Sequence, residues 1–108
     1  MQVDLRLVMR RIIDDLRRGE RTCEIARKTH MTVAEVIRTV CRSIREIRGI
    51  GKVVLSGGVF ANAILLETAR AKLESDGFHV YCHDEVPPND GGLCLGQLAI
   101  AAAQIKCA

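Results

Sequence analysis

Hydrophobic side chains recur every three or four positions along the first half of the chain. Residues 4–18, 22–30 and 32–48 each place them on one side of a helix. The last boundary rests on Thr32-Val-Ala-Glu35, a capping-box sequence in which the threonine hydroxyl and the glutamate carboxylate each bind a backbone amide at a helix start. The pattern therefore predicts three N-terminal helices.

Short apolar runs rich in β-branched residues alternate with helical spacing along the second half. Residues 52–56 and 78–82 are typical of buried strands, residues 60–76 have helical spacing, and an alanine-rich helix ends near Lys106. Strand, helix, strand and helix in this order predict two parallel strands joined by a crossover helix.

The chain has 108 residues, a length that favours one domain. We expect an α/β fold and a single domain over residues 1–108, helical over 1–51 and βαβα over 52–108. A sheet of two parallel strands is small, because parallel strands usually have neighbours and cover on both faces. The chain therefore either forms a homodimer or belongs to a larger α/β structure.

Charge and composition restrict the function classes. Residues 1–52 carry 13 Lys and Arg against 7 Asp and Glu, and the remainder carries 3 against 6. Aromatic residues make up 3% of the chain, too few for a nucleic-acid surface that stacks bases. The longest apolar stretch, residues 98–103, is far shorter than the roughly 20 residues of a membrane span. The N-terminus lacks the pattern of a secretory signal, so we expect a cytoplasmic protein without membrane contact.

Five cysteines are present, and no two form a CxxC pair. This indicates reduced thiols that serve mostly as small buried hydrophobes. His79-x-x-Cys82-His83 weakly resembles a metal cluster. We disfavour a metal there, because strand geometry places Cys82 and His83 on opposite faces.

The first candidate site is Ser56-Gly57-Gly58-Val59, at the end of the first predicted strand and just before a helix. Glycines let backbone amides approach a phosphate, and a helix start adds free N–H donors. We expect Asn62 in the first turn of the helix, where its amide can reach a ligand. A tight strand-to-helix turn explains the glycines equally well.

The second candidate site is Pro87-Pro-Asn-Asp-Gly-Gly92, between the second strand and the last helix. Asp90 is expected at a helix start, where a carboxylate caps the helix or binds a metal, and the cap is the more common role. Because the two loops follow adjacent parallel strands, we expect them to converge on one site.

A third motif points to a different function class. Residues 24–36 have the cadence of a helix-turn-helix and lie in the basic half, where Arg38 and Arg42 could contact phosphates. His30 stands where such turns usually have glycine, so we regard nucleic-acid binding as the weakest alternative.

Both glycine motifs, in this order and spacing, resemble the C-terminal region of the HypF family of hydrogenase maturation carbamoyltransferases. The upstream segment 25–30 resembles it too, so that the resemblance covers nearly the whole chain. It extends to the universal tRNA threonylcarbamoyltransferases and antibiotic O-carbamoyltransferases. The resemblance implies a partial actin-like ATPase fold, of which this chain is most of the second lobe.

Such enzymes bind carbamoyl-adenylate between two lobes and transfer its carbamoyl group to an acceptor. For the HypF family, the resemblance implies that the acceptor is the C-terminal cysteine thiolate of a HypE-like partner. The transferred group is then a precursor of the cyanide ligands of nickel–iron hydrogenase. The residues implied are Ser56, Gly57, Gly58, Val59 and Asn62 for ATP or carbamoyl-adenylate, Asp90 for one metal ligand, and His30, Asn89 and Gly91 as further residues lining the site.

The other lobe of such an active site, with the histidines that complete its metal site, is not recognisable in this sequence. We expect the chain to bind nucleotide, and to gain a divalent metal and transfer activity only with the missing lobe. The alternative is an interaction or oligomerisation module that keeps the fold without catalysis.

Overall fold

A computed structural model describes residues 1–107 of the chain. The helices and strands are α1 (Arg6–Arg17), α2 (Thr22–Arg48), β1 (Lys52–Leu55), α3 (Ala63–Ser75), β2 (His79–Cys82) and α4 (Leu93–Cys107). Short 3-10 turns at Gly58–Ala61 and Asp90–Gly92 precede α3 and α4. The predicted order of helices followed by a βαβα unit is confirmed.

The second and third predicted helices are in fact one helix, α2. Thr32 does not cap a helix start, because its hydroxyl donates to the carbonyl oxygen of Lys28, one turn back, at 2.8 Å. A threonine that bonds in this way satisfies its hydroxyl inside a helix. Neither glycine nor proline interrupts residues 22–48, and Gly49 then ends the helix in the left-handed region, with φ of 69°.

This continuous helix overturns the helix-turn-helix alternative, because that motif needs two helices at a large angle. The arginines considered for phosphate contacts are also engaged inside the chain. Arg38 donates to the carboxylate of Asp76 at 2.6 and 2.7 Å, and Arg42 donates to it at 2.8 Å. Arg45 donates to the Asp76 carbonyl at 2.7 Å and lies over the Phe78 ring, 4.0 Å from its centroid.

The two strands form a parallel sheet with one covered face. Lys52 pairs with His79 and Leu55 with Cys82. Helices α2 and α3 pack together over the covered face. The buried core residues are Ala34, Leu55, Leu65, Ala69, Leu73 and Phe78. On the opposite face, Val54 and Tyr81 are 68% and 52% exposed, so this side of the sheet is open.

Helix α4 extends away from this core. The radius of gyration is 17.3 Å, against about 13 Å for a compact domain of this length, and the longest dimension is 61 Å. None of the α4 residues is buried, and its large apolar side chains are each more than half exposed. Within residues 1–107, no helix has both the length and the apolar character that crossing a membrane requires.

The cysteines are less buried than the sequence predicts. Cys23, Cys94 and Cys107 are exposed, which contradicts the expectation of small buried hydrophobes. Cys41 and Cys82 are half-buried and pack against the core. Burial raises the pKa of the Cys41 thiol. All five side chains are free thiols.

Candidate functional site

The two predicted loops meet at the carboxyl ends of β1 and β2. Because Leu55 pairs with Cys82, the next residues of the two strands, Ser56 and His83, stand side by side. The hydroxyl oxygen of Ser56 lies 2.7 Å from Nε2 of His83, within hydrogen-bond distance. One residue on, the Gly57 N–H donates to the carbonyl oxygen of Pro88 at 2.9 Å. The loops are therefore joined by a side-chain contact and a backbone hydrogen bond.

The backbone of the first loop requires glycine at one position. Gly57 has a φ of 113°, a conformation that side chains with a Cβ rarely adopt. Its N–H is engaged by Pro88 and is not available to a phosphate. The amides of Gly58 and Val59 begin the 3-10 turn and have no acceptor within it. A Cβ at Gly58 would meet nothing within 4 Å, so this side of the loop is open.

Asn62 is the N-cap of α3 and not a residue of its first turn. Its Oδ1 accepts from the Leu65 N–H at 3.2 Å. Its Nδ2 lies 2.7 Å from Nε2 of His30, and the other ring nitrogen of His30 lies 2.7 Å from the carbonyl oxygen of Ala26. Two residues that the sequence predicted for one site, 32 positions apart, are therefore in direct contact.

The second loop is held by Asn89. Its side-chain oxygen accepts from the Gly91 N–H at 3.0 Å, so the capping role considered for Asp90 belongs to its neighbour. Asp90 is exposed and begins the 3-10 turn before α4. A Cβ at Gly92 would lie 2.7 Å from the carbonyl oxygen of Pro87, so the loop can pass this close only with glycine there.

The donors of a complete metal site do not come together in the described part of the chain. Among residues 1–107, no three His, Cys, Asp or Glu side chains are placed to hold one ion. Asp90 can supply one carboxylate, which suits a hard divalent cation, and the remaining ligands would have to come from elsewhere. His79, Cys82 and His83 are not placed to hold one ion in this part of the chain.

A cavity of about 360 Å³ lies beside the joined loops. Its walls include Leu55, Phe60, Leu66, His83, Val86 and Pro87. None of the residues predicted to bind nucleotide lines it. Ser56, Asn62 and the amides between them form an open surface and not the interior of a closed pocket.

Comparison with known proteins identifies the family. Residues 1–97 match the family described as the second subdomain of the Kae1-like domain of carbamoyltransferases. The chain belongs to this family. The carbamoyltransferase HypF of Synechocystis sp. PCC 6803 is 37% identical over 109 residues, which cover 99% of this chain and 13% of that protein. The HypF of Rhodobacter capsulatus is 34% identical over 88 residues, or 82% of this chain and 12% of that protein.

The structural comparison agrees. A crystal structure of full-length HypF in a phosphate- and nucleotide-bound form matches 88% of this chain and 13% of that protein, with a TM-score of 0.86 and 44% identity. The resemblance to HypF and the α/β fold class are therefore confirmed. The chain spans about an eighth of the length of these relatives. The roles implied for individual residues stay predictions.

His83 belongs to this site, although its sequence pattern indicates only a weak resemblance to a metal ligand. A signal for it was present, because parallel pairing of residues 52–56 with 78–82 continues from Ser56 to His83. No local sequence pattern predicts the contact between His30 and Asn62. It requires α2 to lie beside the loop, and the arrangement of helices does not follow from local pattern.

Proposed function

We propose that the chain is the nucleotide-binding lobe of a HypF-like carbamoyltransferase that acts in the maturation of nickel–iron hydrogenase. One observation carries the proposal: two glycine loops are joined at the carboxyl ends of parallel strands, in a chain of a carbamoyltransferase subdomain family. Open parallel sheets bind ligands at this end of their strands.

The ligand in this proposal is ATP or carbamoyl-adenylate. The amides of Gly58 and Val59 donate to phosphate oxygens, since they begin a helical turn and no backbone acceptor among residues 1–107 engages them. Ser56 lines the phosphate side. Asn62 has a second amide hydrogen, which no contact among residues 1–107 engages, and donates it to the adenosine part.

Transfer of the carbamoyl group needs more than this lobe. We propose that the other subdomain of the Kae1-like domain faces the joined loops and supplies the remaining metal ligands, with Asp90 providing one. When bound, the metal would offset the negative charge of the nucleotide. The acceptor would be a cysteine thiolate of a HypE-like partner.

The binding step is tested by isothermal titration of the chain with ATP and Mg²⁺. We expect saturable binding that the double variant Gly58→Val, Asn62→Ala abolishes. The valine places a side chain over the amide surface without a clash inside the chain, because nothing lies within 4 Å of its Cβ. Gly51→Val is the matched control, since Gly51 also has open space around its Cβ and no positive φ.

If the control Gly51→Val loses binding as completely as the double variant does, the loss is not specific to the proposed site and the proposal is contradicted. Absence of binding by the unmodified chain would exclude a nucleotide site that works in this chain alone.

Transfer is tested separately, with this chain replacing the matching segment of a full-length HypF. Carbamoylation of the acceptor is expected there, and a chimera that folds and remains inactive would count against the proposal.

A second candidate function is self-association of the chain as an interaction module. The observation that favours it is the apolar surface left open by α4 and by the outer face of the sheet, where Val54 and Tyr81 are exposed. In a dimer, this apolar surface of each chain would be covered by the corresponding surface of the other chain. This candidate requires no nucleotide, so titration with ATP distinguishes it from the first.

A further inference from the structure

The amide of Asn62 is held at both of its ends. Its oxygen accepts from the Leu65 N–H at 3.2 Å, and its nitrogen lies 2.7 Å from Nε2 of His30. The Leu65 contact comes from the same helix and forms whenever α3 is capped. The His30 contact is different, because it comes from α2, 32 residues earlier.

The protonation pattern of this contact follows from the hydrogen-bond partners. The carbonyl oxygen of Ala26 can only accept, so Nδ1 of His30 carries the proton that it donates across 2.7 Å. In the neutral ring Nε2 is then an acceptor, and it receives a hydrogen from the Asn62 amide nitrogen. Two linked hydrogen bonds therefore connect Asn62 through the His30 ring to the backbone of α2.

A flipped amide would break both contacts. The Asn62 oxygen would then face the His30 acceptor, and its NH₂ group would face the Leu65 N–H donor. The orientation seen leaves one amide hydrogen and one oxygen lone pair of Asn62 unused by these contacts. The cap bond from Leu65 and the contact with His30 therefore select the same orientation, and His30 holds the NH₂ end of the amide in place.

We propose that His30 is a positioning residue of the nucleotide loop, which holds the Asn62 amide with its free hydrogen available to the ligand. This inference rests on the proposed function, because it takes Asn62 as a nucleotide contact. His30 does not itself touch the ligand in this proposal. Its effect on binding passes through Asn62.

Two conservative variants separate the contacts of His30. In His30→Gln, the side-chain oxygen can take the place of Nε2 as the acceptor for Asn62, while the bond to Ala26 is lost. In His30→Asn, the shorter amide can replace Nδ1 as donor to Ala26, while the bond to Asn62 is lost. A role limited to the stability of α2 predicts that His30→Asn, which keeps the backbone bond, is the milder change.

Titration with ATP and Mg²⁺ is the first measurement. We expect His30→Asn to weaken binding roughly three- to tenfold, the effect of one hydrogen bond, and His30→Gln to stay within about twofold of the unmodified chain. In an Asn62→Ala background, His30→Asn should have no further effect. Equal affinities for both variants, or a further loss in that background, would overturn the proposal.

The second measurement needs no ligand. The side-chain amide signals of Asn62 in a ¹⁵N spectrum are expected to shift and to exchange faster with solvent in His30→Asn, and to keep their protection in His30→Gln. If the unmodified chain does not bind nucleotide, the proposed function fails for the free chain, and these signals still decide the role of His30. Unchanged Asn62 signals in a folded His30→Asn variant would exclude a positioning role.

Discussion

At the scale of single residues, Asp76 shows how charge links the helices. Its side chain is 7% exposed and accepts hydrogen bonds from Arg38 and Arg42, while Arg45 binds its carbonyl oxygen. The hydrogen bonds from Arg38 and then Arg42 hold the pKa of the Asp76 carboxyl well below its ordinary value of 3.8. The basic face of α2 therefore fastens the helix to the end of α3.

Replacement of this carboxylate tests that link. Because the pKa of Asp76 is lowered by folding, its contribution is present above pH 3.8 and is lost as the pH falls below that value. We expect Asp76→Asn to lower the melting temperature at pH 7, and the difference from the unmodified chain to shrink toward pH 2. Thermal unfolding followed by circular dichroism at several pH values measures this.

The control for this experiment is Glu74→Gln. Glu74 pairs with Arg70 on the exposed side of α3, where an ion pair contributes little. This variant should melt close to the unmodified chain at every pH. A difference for Asp76→Asn that stays constant from pH 7 to pH 2 would mean that the carboxylate charge is not what stabilises the contact.

The meeting of the two loops was predictable from the strand order, and the contacts of their side chains only in part. Glycines after a strand predict a ligand loop from local chemistry, and parallel pairing extends this to Ser56 beside His83. The roles of His30 and Arg38 depend on how α2 lies against α3, which is a tertiary property. A sequence shows that α2 has a basic face, and it does not show that Asp76 lies opposite that face.

At the scale of elements, α2 is the largest departure from the sequence prediction. The segment 29–32 contains two threonines and a histidine, residue types that are common at helix boundaries. In the structure, Thr29 and Thr32 both donate to carbonyl oxygens four residues earlier, at 2.8 Å. A threonine at a helix start accepts a hydrogen bond from a backbone N–H, whereas these two donate to carbonyl oxygens and so fit inside one helix. The strands and α3 have no such ambiguity, and their predicted limits agree within a few residues.

Proline at position 31 distinguishes one helix from two. Met31 is 41% exposed, so its replacement changes little packing. In a continuous α2, Met31→Pro removes a backbone hydrogen bond and clashes with the preceding turn, at a cost of about 3 kcal/mol or more in the free energy of unfolding. In two helices, position 31 precedes the second cap and would accept proline.

Chemical denaturation compares Met31→Pro with Met31→Ala, which removes the same side chain and keeps the backbone donor. We expect alanine to stay within about 1 kcal/mol of the unmodified chain, since methionine and alanine are both good helix formers. If the two variants unfold at the same denaturant concentration, α2 is interrupted at this point.

At the scale of the whole molecule, the buried core is confined to one end of an elongated chain. Helices α2 and α3 cover one face of the sheet, while α4 and the other face are open. The sequence predicts that the two strands need more cover, because parallel sheets are usually covered on both faces. What supplies the cover was not predictable, since α4 is apolar on all sides and no single face is marked for a partner.

The contribution of α4 to self-association can be measured without disturbing the core. Leu98 and Ile105 are 67% and 76% exposed, so replacing both by lysine should leave the buried core and the helix content unchanged. If α4 mediates association, light scattering should show the unmodified chain above the monomer mass of 11.9 kDa and the double variant close to it. Gln2→Lys with Thr39→Lys adds the same charge at exposed polar positions and should associate like the unmodified chain. An unmodified chain that is monomeric at micromolar concentration would exclude the interaction module. The proposed nucleotide-binding function would not be affected by that result, since in that proposal another subdomain faces this chain.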